Sequence, residues 1–431
     1  MHFFLIVLTI LLQACTGLGG KRAPAPWLSG PPVLQVDFDS VEAAAHLTWE
    51  RARRRGFLRY EIQRSAGGDF APLAVVKALE DTTLADEGLR GNAAYRYRVM
   101  TYFGEEEGEH ALASTIVEGG IHRHANAWSV GDGSFMPTRL VVDRRGTVAV
   151  VGAGSGRLMR FDRAGNPLSD LPFTREPLAC LETGILDGPS LALDSDNFLY
   201  VTYNVRREES RPQAFWNKYD ADGQLIWARP LGGLFARHIA IDAEDRIFIE
   251  SISQLRQFDR DGERQRQYIV PALLVSSLRF WAGRFAALIE PLSLVEGDWR
   301  APRLVVYEEA DRQTPDLVIG RDPASQQDRG NGLLQRPTDF SVDEGMARAF
   351  VVNGGMARVE VFREDRFLTR WGEEGSGVGQ FRFAGRATVL DDLEAGTVTE
   401  RSVVAGGIAR DEEGYIYVAD TFNHRIQKFQ P

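Results

Sequence analysis

Apolar residues in this chain alternate over short runs, and the runs are broken by turns carrying Asp and Gly. That is the period of β-strands, not of helices. The clearest stretch is Gly406–Phe429, GGIARDEEGYIYVADTFNHRIQKF. It predicts three strands, Gly407–Arg410, Tyr415–Asp420 and Arg425–Phe429, with turns at Asp411–Gly414 and Thr421–His424. An Asp heads the first turn and a Gly closes it, where a tight reversal needs φ > 0. Such a unit has two apolar faces and requires copies of itself on both sides.

The copies are present. Leu140–Phe161 repeats the spacing, with Asp143, Gly146, Arg157 and Phe161 standing for Asp411, Gly414, Arg425 and Phe429. Phe340–Phe362, Ile239–Phe258 and Leu191–Tyr219 follow the same pattern, and Leu278–Tyr307 keeps its last strand, Arg303–Tyr307. Units recur every ~40–50 residues, the interval of four-stranded propeller blades. His124–Phe135 matches Leu368–Phe381, an outer strand with its exit turn, while the last unit ends at Phe429 without an outer strand. Strand Ala125–Val130 is therefore expected to complete the last blade and seal the ring. The predicted fold class is all-β, with a six-bladed β-propeller over residues 125–431. The run Asn423-His424-Arg425-Ile426 resembles the signature of the NHL repeat, which implies an NHL-like propeller.

Three further segments precede the ring. Residues 1–14 are a short apolar leader, and the run Leu12-Gln13-Ala14-Cys15 spans its end. This resembles the lipobox of bacterial lipoproteins, and the resemblance implies acylation of Cys15; Thr16 after it implies the outer membrane. Residues 15–32, rich in Gly, Pro and Ala, read as a tether. Residues 33–118 carry Leu47–Trp49, Arg59–Arg64, Thr83–Asp86 and Tyr95–Val99 in the order of a fibronectin type III domain, which they resemble. That likeness implies Trp49 in the core and Tyr95 or Tyr97 at the tyrosine corner. His122 and His124 are expected as exposed linker residues, the alternative being a pair of metal ligands.

The chain has 431 residues and a net charge of −10, with no sustained Lys/Arg stripe. A nucleic-acid partner is therefore not expected. Besides Cys15 there is one cysteine, Cys180, flanked by Leu178, Ala179 and Leu181 and expected to be a buried small hydrophobe.

Strand polarity puts the long insertions on one face: Ser169–Pro189, Tyr203–Ala214, Glu290–Pro302, Gly320–Pro337 and Ala384–Ala405. This face is expected to point away from the N-terminal domain and to carry function. At the channel mouth on the same side, the alignment places Arg139, Ser190, His238, Asp339 and Gly407. The first four are the candidate ligand-binding residues; only His238 and Asp339 offer metal-ligand atoms, so no metal or cofactor is expected. Each repeated Arg is expected to pair at the end of its own blade's second strand, Arg425 with Asp420 and Arg358 with Asn353. The resulting reading is a lipid-anchored extracytoplasmic binding or scaffold protein with a protein or glycan partner in the cell envelope. Its rival is a periplasmic metal-dependent hydrolase or lyase acting at the channel mouth.

Overall fold

The computed structural model describes residues 31–39, 42–53, 55–66, 68–90, 95–105, 108–182, 185–206, 211–232, 235–251, 254–269, 275–290, 301–309, 314–325, 327–392 and 397–431. The leader, Cys15 and nearly all of the tether lie outside the described residues, as do 207–210 and 291–300. All the long elements are strands, and no helix among the described residues is long and apolar enough to cross a membrane.

From Met136 onward the chain builds four-stranded antiparallel sheets, each strand pairing with the next. The first runs Met136–Val142, Val148–Ala153, Ser155–Phe161 and Pro167–Pro172. The second to fifth begin at Ser190, His238, Val275 and Pro337. The sixth is made of Gly407–Arg410, Ile416–Asp420 and Arg425–Phe429, and its fourth strand is His124–Ser129. The pairing runs Arg425↔Ser129 to Phe429↔His124, so the two ends of the region share one sheet.

Local chemistry explains the turns. In Asp143–Gly146, Asp194–Asn197, Asp242–Asp245 and Asp411–Gly414 the leading carboxylate accepts the amide four residues on, at 2.7–2.9 Å. The fourth residue of each turn takes a left-handed φ, between 59° and 90°. Asn and Asp tolerate that region where Gly is absent.

Period-two burial explains the ring. The second strand of each sheet is buried on both faces, so alternate residues serve different neighbours. Val150 packs with Tyr417 and Ile426 of the sixth sheet, whereas Val151 packs with Leu191 and Val201 of the second. Four further apolar clusters join sheets two and three, three and four, four and five, and five and six. Neighbour-to-neighbour packing thus returns to its start, which is a β-propeller. Outer strands such as Pro167–Pro172 and Leu225–Pro230 alternate exposed and half-buried positions, as a rim facing water should.

The N-terminal region is two sheets packed face to face. One contains Leu34–Asp39, Ala44–Trp49 and Thr83–Asp86; the other is built on Phe57–Ser65 and Tyr95–Glu105. Trp49, Tyr60 and Tyr97 are in the shared core. The Tyr95 hydroxyl accepts the Arg90 amide at 2.8 Å, and the Tyr97 hydroxyl donates to Asp86 at 2.6 Å.

This sandwich lies against the outer strand of the fifth sheet, Arg366–Trp371, so it flanks the rim. Glu118 pairs with Arg363 at 2.8 Å. The linker also departs from expectation. His122 is buried, stacked edge-on to Phe350 and tilted against Trp371, and its Nδ1 lies 3.2 Å from the Gln430 carbonyl. Burial pushes its pKa down to about 4, so the ring stays neutral. Its aromatic neighbours Phe350 and Trp371 belong to the fifth sheet, so the ring packs the linker onto the propeller.

Candidate functional site

The channel mouth lies where the inner strands begin. Arg139, Ser190, His238 and Asp339 do converge there, but all four are buried, Asp339 completely. Each is occupied by its neighbours. Arg139 donates to the carbonyls of Thr138 and Ser276 at 3.0 and 2.9 Å. His238 Nε2–H donates to the Val275 carbonyl at 2.9 Å, and burial lowers its pKa to about 3. Ser190 Oγ is 3.4 Å from the Ile239 amide.

Asp339 is the hub. Its Oδ1 accepts from Ser277 Oγ at 2.6 Å and from the Phe340 amide at 2.9 Å. Its Oδ2 accepts from Arg279 Nη2 and the Ile408 amide, both at 3.0 Å. Arg279 also donates to the Phe340 and Ile408 carbonyls, spanning the fourth, fifth and sixth sheets. The aspartate thus ties three sheets together at the axis. Gly407 fits because a Cβ there would come 2.7 Å from the Thr138 carbonyl.

Sequence reasoning missed the acidic half of this cluster. Arg237 donates from Nε and Nη2 to Asp187 Oδ2 at 2.9 and 2.6 Å, and its Nη1 is 3.6 Å from Glu250. Burial opposes the Arg237 charge, but Asp187 and Glu250 hold its pKa above the ordinary value. Burial raises Glu250 to about 7 against the pull of Arg237. Burial likewise raises Glu290 to about 7, with Ser276 and Arg336 pulling the other way. Asp187 comes from an insertion that has no counterpart in the other repeats, so alignment could not reveal it.

What buries the mouth is a pair of the insertions on the face expected to carry function. Ala384–Leu390 and Val398–Val404 form a hairpin, and Leu181–Glu182 pairs with Leu186–Asp187. Val389 and Val403 of the hairpin pack on Cys180 and Leu186, and on Ala153 of the first sheet. The Leu390 amide donates to the Cys180 carbonyl at 2.7 Å. The two insertions therefore form a cap over the mouth. Exposed ion pairs decorate the hairpin, Arg386 with Glu400 and Arg401 with Asp391. The Tyr203–Ala214 stretch is not an open loop throughout, because Tyr203–Val205 and Gln213–Ala214 belong to strands of the second sheet.

Below the mouth the channel stays open toward the tight-turn face as a cavity of about 250 Å³ with Arg279 in its wall. Cys180 is buried, and burial raises its thiol to about 11. The repeated arginines also divide. Arg425 Nε donates to Asp420 at 2.7 Å. Arg358 pairs with Glu360, not Asn353; Asn353 Nδ2 donates to the same carboxylate at 3.0 Å. Arg157 turns outward to Asp170 on the next strand. Among the described residues, the one His/Asp/Glu group with ligand atoms close enough for a metal ion is Asp39, Glu42 and His46, on the sandwich and not at the mouth.

No family model matches the chain, and no curated protein matches it either. Solved structures similar to it include hydrazine synthase of Kuenenia stuttgartiensis, at 11% identity, 70% of this chain, 97% of that one and a TM-score of 0.45. An auxiliary nutrient binding protein of Bacteroides ovatus is similar at 12% identity over 93% of this chain and 98% of that one, with a TM-score of 0.43. An aldose sugar dehydrogenase of Streptomyces coelicolor, in its PQQ-bound form, is similar at 13% identity over 72% and 97%, with a TM-score of 0.41. The propeller assignment rests on this chain's own sheets and clusters.

Proposed function

We infer that this chain is a lipid-anchored extracytoplasmic binding or scaffold protein: a fibronectin type III-like domain held beside a six-bladed NHL-like propeller. The leader and the Leu12–Cys15 run support the anchor. The Tyr95 hydroxyl on the Arg90 amide supports the fibronectin reading, and the sheet closed by His124–Ser129 supports the blade count. The observation that carries the binding role is the closed mouth. Arg139, Ser190, His238 and Asp339 are consumed by protein partners and lie under a cap. Against the hydrolase or lyase reading stand the occupied groups at the mouth: His238 Nε2–H is given to a carbonyl, and both Asp339 oxygens accept from protein donors. Recognition is left to the outer surface of the elaborated face, engaging a protein partner in the envelope.

A photo-crosslinking residue at exposed Thr388 or Ser402 tests this. In cells it should give a discrete adduct that the same residue at Arg53, on the sandwich, does not. Identical adduct patterns from both positions, or none from the hairpin, would overturn the reading.

A further inference from the structure

Where the linker from the sandwich runs onto the tight-turn side of the propeller, a pocket of about 130 Å³ remains. Residues 119–122 wall it on one side. The fifth sheet and its first turn supply Met346, Arg348 and Leu368 on the other, and Pro431 closes it. The linker is pinned at this point. Thr369 donates its hydroxyl to the Gly120 carbonyl at 3.2 Å, and His122 Nδ1 lies 3.2 Å from the Gln430 carbonyl. The pocket is therefore a fixed feature of the joint.

Arg348 is the group in its wall that the fold leaves unsatisfied. A guanidinium carries five N–H donors. That of Arg348 makes no hydrogen bond or ion pair with another described residue, and its Nε is shut off from water with nothing to donate to. Glu118 and Asp343 act on it without touching it, and both are held elsewhere: Glu118 by Arg363 at 2.8 Å and Asp343 by Arg410 at 3.1 Å. Glu413, in the same wall, is held by Arg163. Burial, with Arg363 and Arg410 nearby, pulls the Arg348 pKa below its ordinary value against Glu118 and Asp343. Arg279, Arg303 and Arg358, by contrast, each reach a carboxylate. Donors here stand without an acceptor, and the pocket is the space beside them.

We propose that this pocket binds a small organic monocarboxylate, with its carboxylate on Arg348 and a short apolar body against Met346, Leu368 and Pro431. The site is separate from the partner surface on the elaborated face. One guanidinium without a contact partner matches one negative charge, and a carboxylate fits its fork. Phosphate would bring a second charge toward Asp343 and Glu413 in the same wall. Met346 is exposed, and Leu368 and Pro431 are half-buried, so each has apolar surface left to cover. A cavity of about 150 Å³ admits benzene, so an acid of roughly six to nine heavy atoms suits the volume. Bound there, it would bridge the linker and the ring.

The test is isothermal titration calorimetry of isobutyrate and of benzoate into the whole chain carrying Cys15→Ser. At least one acid should bind saturably, and inorganic phosphate should bind more weakly. Arg348→Gln should weaken the acid at least about tenfold, since a charge-assisted bond is lost. Arg53→Gln, exposed on the sandwich, should leave the affinity unchanged. Without ligand, Arg348→Gln should melt no lower than the parent, because no protein partner is lost; an arginine held by the fold would lower the midpoint by several degrees. Absence of saturable binding, equal affinity in Arg348→Gln, an equal loss in Arg53→Gln, tighter binding of phosphate, or a lowered midpoint of ligand-free Arg348→Gln overturns the proposal.

Discussion

A chain that begins at Gly131 should fail to form a stable ring, while one that begins at Gly120 should fold. Both lack the sandwich, and they differ in the strand His124–Ser129. Without it Arg425–Phe429 becomes an open edge, and its unpaired amides and carbonyls invite association. The loss also strips the seam between the sixth and first sheets. Trp128 stands 6.0 Å from Phe161 and 6.2 Å from Tyr417, centroid to centroid, and buried Val130 donates its amide to the His424 carbonyl at 2.9 Å. Burying a large apolar side chain contributes about 1.5–3 kcal/mol. Two such residues and a strand ladder together approach about 5 kcal/mol, the whole margin of many domains. Thermal unfolding followed by circular dichroism, with gel filtration for aggregation, reads the outcome. Equal midpoints for the two chains would mean that the ring closes another way.

Asp339→Ala should be the most damaging single change at the axis. It strands the Arg279 charge, the Ser277 hydroxyl and the Ile408 amide at once. Each buried partner left unsatisfied, the Ser277 hydroxyl and the Ile408 amide, costs about 1–3 kcal/mol, and Arg279, a quarter exposed in the channel wall, adds less because water reaches it. Asp339→Asn keeps the shape and one acceptor and should cost less. Urea midpoints of the two variants and the parent give the comparison. A loss below about 1 kcal/mol for the alanine variant would show that Arg279 finds another partner, and that the hub does not join the sheets.

The parts of this molecule legible in the sequence are those that repeat. Asp143 and Asp411 head matching turns because the same carboxylate-to-amide bond is needed at each, and Arg425 pairs with Asp420 across adjacent strand ends. The outer strand before Val130 could be matched to the one at Leu368 for the same reason. What was not legible is what occurs once. Cys180, Leu186, Val389 and Val403 sit in insertions, and nothing periodic says that two insertions far apart in the chain will meet. Asp187 finds Arg237 only through that loop path. Glu360 was within reach: it stands two residues after Arg358 on one strand, hence on the same side of the sheet, and a carboxylate outbids an amide for a guanidinium. His122 looked like a polar linker residue, and its burial depends on a docking surface that local sequence does not describe.

The reading of function depends on the cap lying closed over the mouth, and Cys180 reports on that directly. With Cys15→Ser it is the chain's only thiol. It is buried beneath the hairpin, and its pKa is raised to about 11 from the 9.0 of an ordinary thiol. Since the thiolate is the reacting form, that shift alone slows alkylation about a hundredfold near pH 8. The folded protein should therefore take up iodoacetamide at least a hundredfold more slowly than the same protein unfolded in urea. Alkylation of the folded protein at the unfolded rate would mean that the two insertions do not cover the mouth, and the buried cluster would return as the place to look for a ligand.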